Sequence, residues 1–574
     1  MSNIIARAHE WAEHDPDRES AAELLTMIEG ADGEALARVM GAPLEFGTAG
    51  IRGTVGPGPG RMNRAVVIRT TRGLADFLLE TNRAEPPFVI LGFDARPTSR
   101  QFAEDTAGVL AAAGIGVRYF PDYSPTPLVA FAAKHFGSSA AVVITASHNP
   151  PTDNGYKVYD SNAAQIIPPS DTAISAAIAN VGGADGVPRV DSAFEVSNPL
   201  IESIPDSIVD DYWAEVDASR PVKPSSTVSI VYTPLHGVGG RTLLDVFART
   251  SHRQLAPVLE QFEPDGTFPT VAFPNPEEPG ALDLALEAGE KSNAALVIGN
   301  DPDGDRLAAA IPLAGRWRLF TGNELGVILA SHILGNWSSD DTPITACSVV
   351  SSPMLSRMAQ AAGAFHLTTL TGFKWIANAA LAAEAEGRGI FAFGYEEALG
   401  YTIGRTVRDK DGISAAVVLA DIAAIEAESG RTLLDTLSDL WQEHGIWVSS
   451  QESIVMPGKE GQSEILAAVD RIAANPPEMI NGHPVTALTD YRRGAESRPP
   501  WLGAQHLIEI ELGDSGRVLV RPSGTEPKLK VYADLRAPSG DPGTIHAERD
   551  RLLLAAEKAA REVASGLMSS RGGG

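Results

Sequence analysis

The sequence predicts an α/β protein. Short runs rich in Val, Ile and Ala recur along its 574 residues, and each gives way to a Gly/Pro/Asp loop and then a helical stretch. Examples are FVILGFD (88–94), AAVVIT (140–145), VSIVY (228–232), AALVIGN (294–300) and ITACSVVSS (344–352). These runs are apolar throughout rather than alternating, which is the pattern of strands buried on both faces beneath helices. Repeated strand–loop–helix units of that kind predict mixed or parallel sheets.

The remaining elements follow from local pattern. Helices are expected in FAEDTAGVLAAAG from Phe102, ALDLALEAGEKS from Ala281, the stretch that begins after Leu319, and AAVVLADIAAIEA from Ala415. Strand pairs HLIEIEL and RVLVRPSGTEPKLKVYADL, then the helix HAERDRLLLAAEKAAREVA, predict a smaller α+β unit at the C-terminus. The tail SSRGGG is expected to be disordered. At about 150 residues per domain the length gives about four domains. Polar and Pro-rich breaks put them at 1–207, 208–320, 321–441 and 442–574.

Composition narrows the partners. Hydrophobic residues make up 44% and charged residues 21%, enough for real cores. Asp and Glu outnumber Lys and Arg by 73 to 46, a net charge of −27. Such a surface repels nucleic acid and anionic membrane, so neither is an expected partner. A small anionic substrate remains compatible if cations are concentrated locally. The lone Cys347 permits neither an internal disulfide nor a cysteine metal site. The N-terminus is acidic where a signal peptide needs an apolar stretch, and no apolar run is long enough to span a bilayer. A cytoplasmic protein is expected.

Four polar clusters carry the chemistry, several of them just after strands, where open α/β sheets bind ligands. Five of the ten lysines (Lys157, Lys374, Lys410, Lys528 and Lys530) lie in or beside them. In TASHNPPTDNGYK (145–157), Ser147 with His148 and Lys157 could be an activated nucleophile, or a turn in which Ser147 and Asn149 cap backbone groups. In GNDPDGDR (299–306), Asp301, Asp303 and Asp305 can converge on one point, the hard oxygen set that suits Mg²⁺. The spacing is not that of an EF-hand, because Arg306 would replace the required glycine. In GYEEALGY (394–401), Glu396 or Glu397 could accept hydrogen bonds from a polyhydroxylated ligand, or simply favour a helix start. Lys410 lies between two aspartates in RDKDG, where a lysine forms a surface ion pair or moves protons. In RPSGTEPKLKVY (521–532), Arg521, Ser523, Thr525, Lys528 and the amides around Gly524 can wrap a phosphate dianion. FGTAGIRG adds Arg52, and TPLHGVGG adds His236 at a strand end, which alone reads as structural. GVGGR lacks the spacing of a dinucleotide fingerprint.

In order, FGTAGIRG, TASHNPPTDNGYK, DPDGDR, TGFKWIANAA, GYEEALGY, RDKDGISAA and RPSGTEPKLKVY resemble the α-D-phosphohexomutase superfamily. The wording of TGFKWI, EEALGY and DKDG is closest to its type-two phosphoglucomutase and phosphopentomutase branch. The resemblance spans residues 46–532. It implies four domains around one cleft, the first three related α/β units and the last a smaller α+β domain. It implies that Ser147 is the phosphorylated nucleophile and that Asp301, Asp303 and Asp305, with the Ser147 phosphate, hold one Mg²⁺. Arg52, His148, Lys157 and Arg306 would surround the transferring phosphoryl group. Thr371, Gly372 and Lys374 would belong to the sugar-specificity loop, Glu396 would bind sugar hydroxyls, and Arg521, Ser523, Gly524, Thr525 and Lys528 would hold the distal phosphate. One departure is Ala398, where many hexomutases of the superfamily have Ser. The lost hydroxyl weakens the case for strict glucose or mannose specificity.

The implied reaction interconverts a sugar 1-phosphate and its 6-phosphate, or a pentose 5-phosphate, through phospho-Ser147 and a sugar bisphosphate that also serves as activator. Lys410 is the first candidate for the base, with His148 or Lys157 behind it. Glucose and mannose phosphates are the leading substrates. Phosphopentomutase and sugar-1,6-bisphosphate synthase are alternatives on the same scaffold. A metal-dependent phosphatase and a non-catalytic sugar-phosphate sensor are the readings from further away. The sequence does not fix the oligomeric state.

Overall fold

The computed structural model describes residues 2–30, 32–47, 50–81, 86–456, 458–523 and 528–569. Gly524 and Thr525 of the expected phosphate loop lie outside them, as do residues 570–574 of the tail. The chain divides into two compact units, Met1–Phe320 with Gly400–Asp421, and Thr321–Leu399 with Ile422–Gly574.

The first unit contains two mixed sheets. One has the strand order Ile51–Thr54, Asp153–Tyr159, Ala140–Ile144, Phe88–Phe93, Gly116–Tyr119, Ile201–Ser203. Its central strands are parallel, while Asp153–Tyr159 runs antiparallel to both neighbours. The continuous apolar runs are buried as their pattern requires: Val89, Ile90, Leu91, Val142, Val143 and Ile144 have no exposed surface. Each such side chain contributes about 1.5–3 kcal/mol on burial. The second sheet has the order Arg316–Leu319, Ala308–Leu313, Leu296–Gly299, Ile230–Thr233, Leu255–Pro257, again with a parallel centre.

The second unit holds a parallel sheet, Phe365–Thr369, Pro343–Ser348 and Ile390–Glu396, in which Cys347 is buried. It also holds the C-terminal antiparallel sheet Ile446–Val455, Lys528–Ala537, Gly516–Pro522, Ile508–Glu511, Ala487–Asp490. The 25-residue helix Ile545–Ser569 follows it. Val349, Val350, Leu370, Leu507, Leu519 and Tyr532 pack together, so the loop after Thr369 is seated on the C-terminal sheet.

Three N-terminal helices, Ser2–Glu13, Arg18–Glu29 and Gly33–Val39, were not foreseen. Part of the acidity that argues against a signal peptide is capping. The Asp17 carboxylate accepts from the amides of Glu19 and Ser20, and Asp32 accepts from Ala35. Ala8, Leu24, Leu36, Val39 and Met40 form a core of their own. No helix among the described residues is long and apolar enough to cross a membrane.

Candidate active site

Ser147 follows the strand Ala140–Ile144, and its backbone takes φ 53°. That left-handed turn is costly for a non-glycine residue and marks a loop constrained by its surroundings. The constraint is visible. The Ser147 amide donates to Thr145 Oγ1 at 2.8 Å. The buried Arg96 guanidinium, paired with Asp94, donates to the carbonyls of Ser147, Asn149, Pro150 and Asp153 at 2.6–2.8 Å. Sequence reading missed Arg96, because its polar partners lie some fifty residues further along the chain.

The loop after Leu296–Gly299 brings the three aspartates to the same place. Their ligand oxygens all lie within 4.8 Å of one another, and all three residues have no exposed surface. Ser147 Oγ donates to Asp301 Oδ2 at 2.9 Å. Lys157, on the strand Asp153–Tyr159, donates to Asp303 at 2.7 Å and Asp305 at 3.2 Å. Lys410 Nζ is 3.0 Å from Asp305 Oδ2. Thr126, which sequence reading also missed, donates its hydroxyl to Asp303 at 2.8 Å.

TPLHGVGG proves to be a brace for this loop. A Cβ at Gly237 would lie 2.4 Å from Pro302 Cα, so only glycine permits the approach, and the Val238 amide donates to the Pro302 carbonyl at 2.7 Å. His236 is buried and its Nε2 meets Thr270 Oγ1 at 2.8 Å, the structural role expected of it.

Electrostatics divide the triad. Burial, then the neighbouring Asp305 and Asp303 charges, push the Asp301 carboxyl well above the usual carboxylate range. Burial acts on Asp303 in the same sense, but the Lys157 ammonium outweighs it and holds Asp303 below that range. The Asp303 and Asp305 Oδ1 atoms are buried with no hydrogen-bond partner. Two orphaned hard oxygens beside a third carboxylate fit a divalent cation, which would relieve both the repulsion and the lost hydrogen bonds.

Three further basic side chains belong to the same region. Arg52, on Ile51–Thr54, donates to Asn149 Oδ1 at 3.1 Å. The Arg306 amide donates to Asp301 Oδ1 at 3.0 Å, and its guanidinium reaches Glu277 at 3.3 Å. His148 Nδ1 lies 3.2 Å from Ser147 Oγ. Burial first, and then Arg306 and Arg52, depress the His148 imidazole well below 6.5, so it is neutral at pH 7.

In the second unit the Gly372 amide, at φ 114°, donates to Glu396 Oε1 at 2.7 Å, joining the two predicted sugar-binding segments. The adjacent Leu370 amide bonds to the Trp501 carbonyl at 2.8 Å. Thr371 Oγ1 is buried with no hydrogen-bond partner, and Lys374 is buried with its ammonium 5.6 Å from the Trp375 ring centre. Glu397 faces elsewhere and accepts from Ser348 and Ser351. Arg521 is the last residue but one of the strand Gly516–Pro522 and Lys528 begins the strand paired with it, with the Ser523 amide donating to the Lys528 carbonyl at 2.8 Å.

Four segments match family profiles described as phosphoglucomutase/phosphomannomutase alpha/beta/alpha domain I (43–183), domain II (209–313), domain III (321–444) and C-terminal domain (458–539). A probable phosphomannomutase of Haemophilus influenzae is 39% identical, covering 88% of this chain and 97% of its own. A Homo sapiens phosphopentomutase is 35% identical, covering 96% and 94%. A solved structure described as a putative phosphomannomutase of Thermus thermophilus aligns with a TM-score of 0.65 at 21% identity, over 92% of this chain and all of that one.

Proposed function

Since the chain belongs to the phosphoglucomutase/phosphomannomutase family, we infer that it is a phosphosugar mutase, an isomerase interconverting a sugar 1-phosphate and its 6-phosphate. The observation that carries this reading is the Ser147 hydroxyl 2.9 Å from Asp301, inside a buried carboxylate triad that lacks two hydrogen-bond partners.

Phospho-Ser147 passes its phosphoryl group to the free hydroxyl of a sugar phosphate. The Ser147 Oγ–P bond breaks and an O–P bond to the sugar forms; the hydroxyl proton goes to Lys410 in its neutral amine form, and Ser147 Oγ takes up a proton as it leaves. The bisphosphate then turns over and returns its other phosphoryl group to Ser147. Such transfer needs alignment and neutralisation of spread negative charge. Asp301, Asp303 and Asp305 would hold Mg²⁺, which when bound supplies part of that neutralisation. Arg52 and Arg306 supply cationic hydrogen-bond donors, and Lys157 keeps Asp303 ionised. Neutral His148 can accept a proton near Ser147 and is the alternative base. Thr371, Gly372, Lys374 and Glu396 bind the sugar, while Arg521, Ser523, Gly524, Thr525 and Lys528 bind the phosphate that does not react.

The domains carry these roles in order, with the nucleophile in 1–207, the metal loop in 208–320, the sugar loops in 321–441 and the distal phosphate site in 442–574. A sugar bisphosphate serves as activator, and the cytoplasm is the working compartment. A second reading, a pentose phosphate as the preferred substrate, is favoured by Ala398 and by the likeness to a phosphopentomutase.

The test is incubation of glucose, mannose, ribose and deoxyribose 1-phosphates with Mg²⁺ and a trace of bisphosphate, with kcat/KM compared across them. A mutase converts at least one to its 6- or 5-phosphate with negligible inorganic phosphate, and Ser147→Ala abolishes turnover. Release of inorganic phosphate, or full activity in Ser147→Ala, would overturn the assignment.

A further inference from the structure

Thr126 has two hydrogen-bond donors, and both are directed at one residue of the aspartate triad. Its amide donates to the Asp303 carbonyl at 2.9 Å, and its hydroxyl donates to Asp303 Oδ2 at 2.8 Å. A threonine at a helix start ordinarily turns its side-chain oxygen back onto the amides of its own helix. Here Pro125 takes the N-cap position of the helix Thr126–Phe136, and no side chain caps it. The Thr126 hydroxyl instead donates across to the loop that follows Leu296–Gly299.

Two separate layers meet in this bond. The helix Thr126–Phe136 packs on the strands Phe88–Phe93 and Ala140–Ile144 of the first sheet, whereas Asp303 follows a strand of the second. Thr126 and Asp303 have no exposed surface. A Cβ at Gly304, where φ is 73°, would lie 3.2 Å from Pro125 Cβ, so the loop sits tightly against the helix start. The contact is fixed from both sides and shielded from water.

The oxygen that Thr126 takes decides the oxygen that remains. Asp303 Oδ2 also accepts from Lys157 Nζ at 2.7 Å, and two bonds fill the lone pairs of one carboxylate oxygen. Oδ1 is left buried with no hydrogen-bond partner. The terminal torsion of an aspartate is broad and roughly two-fold, so a single donor leaves the carboxylate free to turn. Two donors from different elements, both on Oδ2, hold its plane.

We propose that Thr126 is a positioning residue for the metal ligand Asp303. By holding Oδ2 together with Lys157, it leaves Oδ1 as the oxygen that Asp303 offers a divalent cation. The role rests on the reading that the triad binds Mg²⁺. The hydroxyl acts through Asp303, as outer-shell partners of metal ligands do.

The test is Mg²⁺ binding to the full chain, stripped with EDTA, brought to the same Ser147 phosphorylation in every variant and followed by calorimetry. Thr126→Val removes the hydroxyl and keeps the amide bond to the Asp303 carbonyl. It should raise the Mg²⁺ dissociation constant about 10-fold or more, the scale of a lost outer-shell partner. Thr126→Ser keeps the hydroxyl and should bind within about two-fold of the unaltered protein. Turnover of Thr126→Val, low at limiting Mg²⁺, should recover at saturating Mg²⁺, because the loss is one of metal affinity. Asp303→Asn is the reference for a damaged ligand and should bind Mg²⁺ weakly.

If Asp303→Asn loses affinity but Thr126→Val does not, or if Thr126→Ser falls as far as Thr126→Val, the positioning role is overturned and the metal site stands. A loss of turnover that saturating Mg²⁺ fails to recover also overturns it. If Asp303→Asn binds Mg²⁺ as tightly as the unaltered protein, the metal reading fails and the role of Thr126 fails with it. Thermal melts in EDTA check folding. Should Thr126→Val not fold, Thr126→Ala removes the same hydroxyl with a smaller side chain and runs the same comparison.

Discussion

Arg96 Nη2 donates to the carbonyl oxygen of Ser147 at 2.7 Å, so the proposed nucleophile is held from its backbone by a buried cation. The same guanidinium spans the loop to Asp153, pairs with Asp94 at 3.1 Å and lies 5.2 Å from the Phe268 ring centre. Replacing it leaves several carbonyls without their donor and the buried Asp94, which keeps the Ser99 hydroxyl, without its counter-charge.

Arg96→Met is therefore expected to destabilise the protein by about 3–5 kcal/mol, the cost of breaking a buried ion pair from one side. Denaturant unfolding reads this. Arg96→Lys keeps the charge but cannot form the fork of bonds. It should fold, phosphorylate Ser147 poorly and lose about 100-fold or more in kcat, since the loop is no longer aligned. Normal Ser147 phosphorylation in Arg96→Lys would argue against the clamp.

A second expectation concerns the metal. Asp301 is the carboxyl that burial and its neighbours favour in the neutral form, so Asp301→Asn resembles the metal-free state. In EDTA its melting temperature should match that of the unaltered protein. Adding Mg²⁺ to about 100 times its dissociation constant should stabilise the unaltered protein by about 2.7 kcal/mol and leave the variant unmoved. Equal stabilisation of both would remove Asp301 from the metal site.

What could be read in the sequence depended on how local each signal was. Strands such as 88–93 and 140–144 announce themselves because burial on both faces demands unbroken apolar runs. Ser147, Lys157, Asp301, Asp303, Asp305 and Lys410 stand out as polar residues in or beside the loops after strands, and the fold brings them together. Arg96 carries no such mark, because its partners are backbone carbonyls, and a backbone carbonyl has no residue type. Tyr159 and Tyr212 read as core aromatics, which they also are. Only the fold places their hydroxyls on Asp409 and Asp411. The N-terminal helices were hidden by short length and acidic caps that resemble solvent-facing charge.

Acid should weaken the second unit through His366. Its ring sits between Thr345 Oγ1 at 3.0 Å and Cys347 Sγ at 3.7 Å, and burial holds it at about 4, below the ordinary 6.5. The folded state therefore binds fewer protons than the unfolded chain between those values. The stabilisation is complete above pH 6.5 and drains as pH falls towards 4, by at most about 3 kcal/mol for a half-buried ring. His366→Gln should flatten that segment of the stability–pH curve, as followed by chemical denaturation at pH 7, 6, 5 and 4. An unchanged slope would assign the acid sensitivity elsewhere.

Arg517 ties the C-terminal sheet to the loop that follows Pro343–Ser348. Nε donates to Asp534 at 2.9 Å, Nη1 to Glu509 at 2.9 Å and Nη2 to the Ser351 carbonyl at 2.8 Å. Ser351 in turn hydrogen-bonds Glu397, the neighbour of the proposed sugar ligand Glu396. Arg517→Met strands the buried Asp534 carboxylate, which retains Ser449 as a donor at 2.6 Å but loses its counter-charge. The expected cost is about 3–5 kcal/mol. Arg517→Met with Asp534→Asn should recover part of that loss, because the uncompensated charge is gone while the Ser449 bond survives. Neither variant restores the bond to Ser351, so both should show a raised KM for the sugar phosphate at nearly unchanged affinity for Mg²⁺. Separate measurements of unfolding and of KM thus divide the ion pair's role in holding the sheet from its role in placing the sugar-binding loop. Recovery of stability together with KM would mean that the Ser351 contact does not position that loop.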